Sequence, residues 1–259
     1  MNGTNITFRR FGRRRQDGES TTLILLHHGT GCMGSWNSVV NELSERFDTT
    51  IAYDRIGFGE TEPSVLKWSP NYHQEGADEL FGLMDSLEIE NATLIGHSDG
   101  ATISMIAAAI DPSRIRAMVL EAPHVFHGSR YETEYGKDGG FKYFRENVME
   151  KHQDRLRAAF KRDHGDRGQE VLERWYDWWT SMQNMNWDCT NILPNIQCPC
   201  LCIHGQNDIF FPIEHTRMIG EMLARGEVKV IEDAGHEIHK DRRKKWLEIT
   251  LGWLAKEAA

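Results

Sequence analysis

The amino-acid sequence predicts an α/β fold, a mostly parallel sheet of roughly eight strands covered by helices and interrupted by a helical insertion. Three observations predict it. Short apolar runs alternate with longer amphipathic segments along most of the chain, the pattern of sheet strands buried on both faces and the helices that connect them. Several of those runs end in glycine-bearing loops, at the strand ends where such sheets bind ligands. The alternation stops between residues 126 and 196, where charges are dense, no convincing strand appears, and Trp175, Trp178, Trp179 and Trp187 crowd together.

The elements follow in order. Residues 4–9 and a hairpin through Asp17-Gly18 are expected to form antiparallel edge strands. Residues 22–27 (TLILLH) read as a buried strand, followed by the loop His28-Gly29-Thr30-Gly31-Cys32 and a helix over about 35–46. Residues 49–53 form the next strand, and Asp54-Arg55-Ile56-Gly57-Phe58-Gly59 the turn after it. Between residues 72 and 87, Ala77, Leu80, Phe81, Met84 and Leu87 recur at spacings of three and four, one face of a helix. Residues 92–95 give a strand ending at Gly96, and residues 101–110 a helix stopped by Asp111-Pro112. Residues 118–120, 200–204 and 228–232 are further strands, and about 239–256 the final helix. Residues 1–125 and 197–259 then form the core, and 126–196 a helical cap over the strand C-termini.

The 259 residues suit one large domain, and 39% apolar with 10% aromatic residues is enough for a sizeable core. A formal charge of −9 argues against nucleic acid as a partner. The run Arg9, Arg10, Arg13, Arg14, Arg15 reads as a solvated hairpin. No stretch approaches the ~20 apolar residues of a membrane helix, and the N-terminus lacks the apolar core of a signal peptide. The cysteines are Cys32, Cys189, Cys198, Cys200 and Cys202, an odd number without a CxxC pair. Cys198, Cys200 and Cys202 alternate, so a strand points them to one face, ~6–7 Å apart, too far for one tetrahedral ion. Buried reduced thiols and a cytoplasmic location are the expectation.

Gly96-His97-Ser98-Asp99-Gly100 matches G-x-S-x-G between a strand and a helix, where the motif carries meaning. The turn lifts a serine hydroxyl above the sheet, and its small flanking residues let strand and helix pack closely. A serine hydroxyl needs a base to react. Asp208 and His236 follow the last two strands in the order that such a site requires, making Ser98, Asp208 and His236 the candidate catalytic residues. The backbone N–H groups of Thr30 and Asp99 are the candidate oxyanion donors.

On these residues the chain resembles the α/β-hydrolase superfamily, in its capped esterase, lactonase and carbon–carbon-bond hydrolase branch. The pieces are Leu26-His27-His28-Gly29, residues 54–59, residues 96–100, residues 205–212 and Gly235-His236. Residues 96–126 further resemble the valacyclovir-hydrolase group, which shares a Ser-Asp-Gly elbow. The resemblance implies an α/β-hydrolase fold and acyl transfer from a small carboxylic ester to water through an acyl-enzyme. A meta-cleavage-type carbon–carbon hydrolase or a lactonase would use the same triad. A ligand-binding homologue with little turnover is the reading of another class.

Ser98 could instead be an ordinary helix N-cap. Glu121 is the rival to Asp208 as triad acid. His239, inside the final helix, is expected at the surface, and His27, His97, His124 and His204 as satisfied core or rim histidines. The Asp99 carboxylate either faces the pocket, to attract a cationic substrate group, or bonds to backbone or a basic neighbour. Trp178 and Trp179 are candidate pocket residues beside a packing role. No His/Asp/Glu cluster has metal-ligand spacing in the sequence, so neither a metal nor another cofactor is expected. The partner is a small-molecule substrate, with no membrane or nucleic-acid role.

Overall fold

A computed structural model describes residues 5–12, 21–62, 69–127, 140–184 and 186–257. Its strands are β1 (Phe8–Phe11), β2 (Thr22–Leu26), β3 (Thr49–Tyr53), β4 (Ala92–His97), β5 (Ile115–Glu121), β6 (Cys200–Gly205) and β7 (Gly226–Ile231). They form one sheet in the order β1-β3-β2-β4-β5-β6-β7. Only β1 runs antiparallel, against β3, and every other neighbouring pair is parallel. The described residues therefore hold seven strands rather than about eight. The expected hairpin through Asp17-Gly18 lies outside them.

The helices are α1 (Val40–Ser44), α2 (Tyr72–Ser86), α3 (Asp99–Ile110), α4 (Gly140–Phe144), α5 (Gln153–His164), α6 (Gly168–Thr180), α7 (Ile213–Met222), α8 (Ile238–Asp241) and α9 (Arg243–Glu257). Strand alternation divides the core in two. Ile24, Leu26, Leu94, Met118, Leu120, Cys200 and Cys202 face α2, α3 and α7, in a cluster with Ala77, Leu80, Ile103 and Ile219. Leu23, Leu25, Ile95, Val119, Leu201 and Ile203 face α1 and α9, with Leu43, Trp246 and Trp253. Cys198, Cys200 and Cys202 share one face as buried free thiols. The expected helix over 35–46 is shorter. A 3-10 turn, Met33–Trp36, precedes α1, in a segment whose Gly34 weakens an α-helix.

Between β5 and β6 the described residues contain helices and one isolated bridge, Phe126 to Asp188. Polar bonds tie these helices to the loops at the strand ends. His164 accepts from the Gly59 N–H at 2.9 Å and donates to the Thr30 carbonyl at 3.0 Å. Arg167 donates to the carbonyls of Gly57, Gly59 and Thr61. The Trp178 indole N–H donates to Ser69 O at 2.9 Å. Among the described residues, no helix is long and apolar enough to cross a membrane.

Candidate active site

Ser98 sits between β4 and α3 with φ 54° and ψ −119°, a left-handed conformation that costs a non-glycine residue about 1–3 kcal/mol unless its surroundings impose it. Here they do. Its N–H donates to Glu121 O at 2.8 Å, and its carbonyl accepts from Ala101 and Thr102 N–H at 2.8 and 3.1 Å. A Cβ on Gly96 would stand 2.3 Å from Gly100 O, and one on Gly100 only 2.2 Å from Leu26 O. Strand and helix cross too closely for any side chain there. Ser98 occupies the N-cap position, yet its hydroxyl makes no capping bond, and ordinary N-caps are extended rather than left-handed. The plain N-cap reading fails.

Asp208 lies in the loop after β6, almost fully buried. Its Oδ2 accepts from His236 Nδ1 at 2.7 Å, and its Oδ1 accepts from the N–H groups of Phe210 and Phe211 at 2.8 and 3.2 Å. Burial opposes its charge, but the His236 imidazole beside it and the backbone donors outweigh burial and hold its pKa down at about 2. For His236 burial likewise opposes the charge, and the Asp208 carboxylate overrides it, raising the imidazole above its ordinary value. His236 reaches the elbow through its neighbour. Its ring centroid is 5.0 Å from that of His97, and His97 Nε2 donates to His236 O at 2.9 Å. Phe210 stands edge-on to the His236 ring at 4.9 Å.

The loop after β2 is held by Arg55. This buried guanidinium donates to His28 O at 3.0 Å and to the Tyr72 hydroxyl. The Thr30 N–H points to His28 Nδ1 at 3.4 Å, a long and weak bond. A Cβ on Gly29 would lie 2.3 Å from both Asp99 Oδ2 and Trp175 Nε1, so this loop, the elbow and α6 meet at one glycine.

Asp99 is fully buried. Its Oδ2 accepts from the Tyr72 hydroxyl at 3.1 Å, while Oδ1 faces His73 Nε2 at 3.4 Å and His124 Nε2 at 3.2 Å. Burial opposes its charge, and the two imidazoles hold its pKa well below the usual carboxylate value. Of the two orientations that the sequence left open, the carboxylate takes the one toward basic neighbours. Trp178 and Trp179 pack over these histidines, Trp178 with its ring 5.1 Å from His73 and Trp179 5.0 Å from His124.

The Glu121 carboxylate is bonded to His239 rather than to His236. It is sealed against His239, whose Nδ1 it accepts at 2.9 and 3.0 Å, and His239 Nε2 donates to Ser35 O at 3.2 Å. The expectation of a surface His239 is thus corrected. The ring has no exposure, because α8 turns inward and stacks it on Trp36. His27 and His204 are satisfied core histidines, as expected, with both nitrogens bonded. His124 is not: both of its nitrogens are buried without a hydrogen-bond partner among the described residues.

Sequence reasoning missed Arg55, Tyr72, His73, Phe210 and Phe211. A signal existed for His73, which lies four residues before Ala77 on the apolar face of α2 and is buried there. It also missed two spatial groupings with metal-like spacing, His73–Asp99–His124 and His97–Glu121–His239, all buried. Neither is a run in the sequence.

Comparison with known proteins agrees with this architecture. The α/β-hydrolase fold family model matches residues 21–188. The human serine hydrolase BPHL is 24% identical over 246 residues, covering 92% of this chain and 79% of that protein. A 2-hydroxy-6-oxo-2,4-heptadienoate hydrolase of Pseudomonas putida is 24% identical over 260 residues, covering 90% and 89%. Among solved structures, the α/β-hydrolase MGS-M2 from a deep-sea metagenome superposes with a TM-score of 0.74 at 20% identity, covering 97% of this chain and 94% of that one. The chain belongs to the α/β-hydrolase family and is a hydrolytic enzyme.

Proposed function

We propose that the protein is a serine hydrolase that cleaves small carboxylic esters through an acyl-enzyme on Ser98. The observation that carries this reading is the strained, capping-free serine at φ 54°, together with a histidine–carboxylate pair 2.7 Å apart on the loop against His97. His236 takes the Ser98 proton on Nε2 as the hydroxyl oxygen attacks the ester carbonyl. The oxyanion that forms is held by the N–H groups of Thr30 and Asp99. The intermediate collapses as His236 returns the proton to the leaving alcohol. Water, deprotonated by the same imidazole, then frees the acid and Ser98. Asp208 keeps Nδ1 protonated and stabilises the imidazolium. Residues 126–196 act as a cap, with Trp178 and Trp179 forming part of the pocket wall.

The relatives favour a second reading with the same triad. One is named a 2-hydroxy-6-oxo-2,4-heptadienoate hydrolase, and a structural neighbour with a TM-score of 0.71 is titled an N-acyl homoserine lactone degrading enzyme. The deciding experiment has two arms. A fluorophosphonate probe with peptide mapping is expected to label Ser98, and to stop doing so in His236→Ala. No labelling anywhere between pH 6 and 9 would mean a binding protein rather than a serine enzyme. A turnover screen of p-nitrophenyl esters, lactones and vinylogous diketones then ranks the substrate classes, esters being expected first.

A further inference from the structure

His73, Asp99 and His124 come from three separate elements, the start of α2, the start of α3 and the loop after β5. One ligand atom from each lies within 4.8 Å of the others. Two imidazoles converge here on one carboxylate oxygen, at a spacing unlike the two shortest histidine–carboxylate pairs among the described residues and closer to that of His204–Asp208 at 3.5 Å and His28–Glu237 at 3.6 Å. His236–Asp208 and His239–Glu121 close to 2.7 and 2.9 Å, the range of a charge-assisted hydrogen bond, about 2.7–2.9 Å. His73 and His124 stop at 3.4 and 3.2 Å from the same carboxylate oxygen. Donor atoms that share a tetrahedral ion at ~2.0–2.2 Å stand about 3.3–3.6 Å apart.

Orientation is an independent observation. His124 Nε2 makes no hydrogen bond to the oxygen 3.2 Å away, and neither nitrogen of this fully buried ring has a hydrogen-bond partner among the described residues. Aromatic faces fix both rings. Phe211 stacks on His124 at 4.2 Å and 7°, and Trp187 on His73 at 4.6 Å and 28°. The other Asp99 oxygen is committed to Tyr72, itself held by Arg55, which leaves Oδ1 turned to both imidazoles. Outer bonds of this kind commonly orient a metal-binding carboxylate. The other grouping, His97–Glu121–His239, lacks this character, because both His239 nitrogens are already bonded to Glu121 and Ser35.

We propose that His73, Asp99 and His124 bind one divalent transition-metal ion of the zinc or ferrous type, through two imidazoles and one carboxylate, with coordination positions left open. The site neighbours the elbow but is separate from the Ser98–His236–Asp208 chemistry. The full-length protein, dialysed against a chelator, is titrated with Co(II) and with Zn(II), followed by visible ligand-field absorption and by calorimetry. The expected result is one equivalent bound per chain. His73→Ala and His124→Ala should each weaken binding at least a hundredfold. Tyr72→Phe should weaken it about tenfold or more, and Cys198→Ser should leave it unchanged. Near-ultraviolet circular dichroism and probe labelling of Ser98 in the same samples report folding and the triad independently of the ion. His124→Asn replaces His124→Ala if the latter does not fold. Wild-type protein that binds neither ion at millimolar concentration overturns the proposal, as does binding that survives both histidine substitutions.

Discussion

Two histidines three residues apart, His236 and His239, each donate Nδ1 to a buried carboxylate, and their circumstances part from there. The His236 side chain keeps 14% of its surface exposed, while His239 has none. Asp208 takes one nitrogen of His236. In His239 both nitrogens are spent, one on Glu121 and one on a backbone carbonyl, so the ring is satisfied as an imidazolium with nothing left to exchange. Burial is also unequal in kind, since α8 and Trp36 close over His239 whereas His236 stands on a loop beside the strand ends. A histidine–carboxylate pair is therefore not a catalytic dyad by composition. A dyad needs an uncommitted nitrogen, and the fold denies that to His239.

That contrast can be broken by substitution. Asp208→Asn should lower kcat/KM by about ten-thousandfold, through the wrong imidazole tautomer. Glu121→Gln should change kcat/KM per folded molecule by less than tenfold. Comparable activity losses in the two would erase the distinction. Glu121→Gln should instead lower unfolding free energy by about 3–5 kcal/mol, because it leaves a buried charge without its partner. Urea denaturation at pH 6 measures this, and an unchanged midpoint would contradict the buried ion pair.

The pH dependence sharpens the comparison, because activity and stability move in opposite directions. Both imidazoles are raised above the ordinary histidine value of 6.5, burial being outweighed by Asp208 in one case and Glu121 in the other. The stabilisation from each charged pair is fully present below that ordinary value and is lost as pH rises through the raised folded value. Catalysis needs His236 neutral, so kcat/KM should climb over the same interval. Parallel kcat/KM and denaturation series from pH 5.5 to 9 check both slopes, and a flat rate profile would remove His236 as the base. In Glu121→Gln the stability slope should shrink while the rate profile keeps its inflection.

The smallest effect concerns Asp99. Its carboxylate is already surrounded by Tyr72, His73 and His124, so Asp99→Asn should reduce hydrolysis of amino-acid esters and neutral esters by the same factor. A selective loss on amino-acid esters would mean that the carboxylate meets a substrate amine after all.

Much of the fold was legible because its signals are local. The strands β2, β3, β4 and β6 are short apolar runs found close to the positions that their composition implies. The elbow could be read because strand, glycines, serine and helix fall within a dozen residues, and the backbone clash that demands Gly96 is with Gly100, although the one that demands Gly100 is with Leu26 on β2. The meeting of Asp208 and His236 could be anticipated because each follows a strand end, and every parallel strand delivers its end to the same edge of the sheet. Sequence pattern over-extends the helix after β2, where Gly34 favours a 3-10 turn, and puts His239 at the surface, because helix periodicity does not say which side a neighbouring turn will close over.

The sequence alone therefore determined the sheet-and-helix class, the serine turn and the chain order of its acid and histidine, all properties of short contiguous segments. Tertiary structure alone decided which carboxylate each histidine meets. Glu121 and His239 are 118 positions apart, and His73, Asp99 and His124 lie on three elements that share no repeat. Side chains so distant along the chain leave no local periodicity to read. Their meeting is a consequence of which helix packs on which face of the sheet, and with it comes the difference between the sealed His239–Glu121 pair, the part-exposed His236–Asp208 pair and the buried His73–Asp99–His124 cluster.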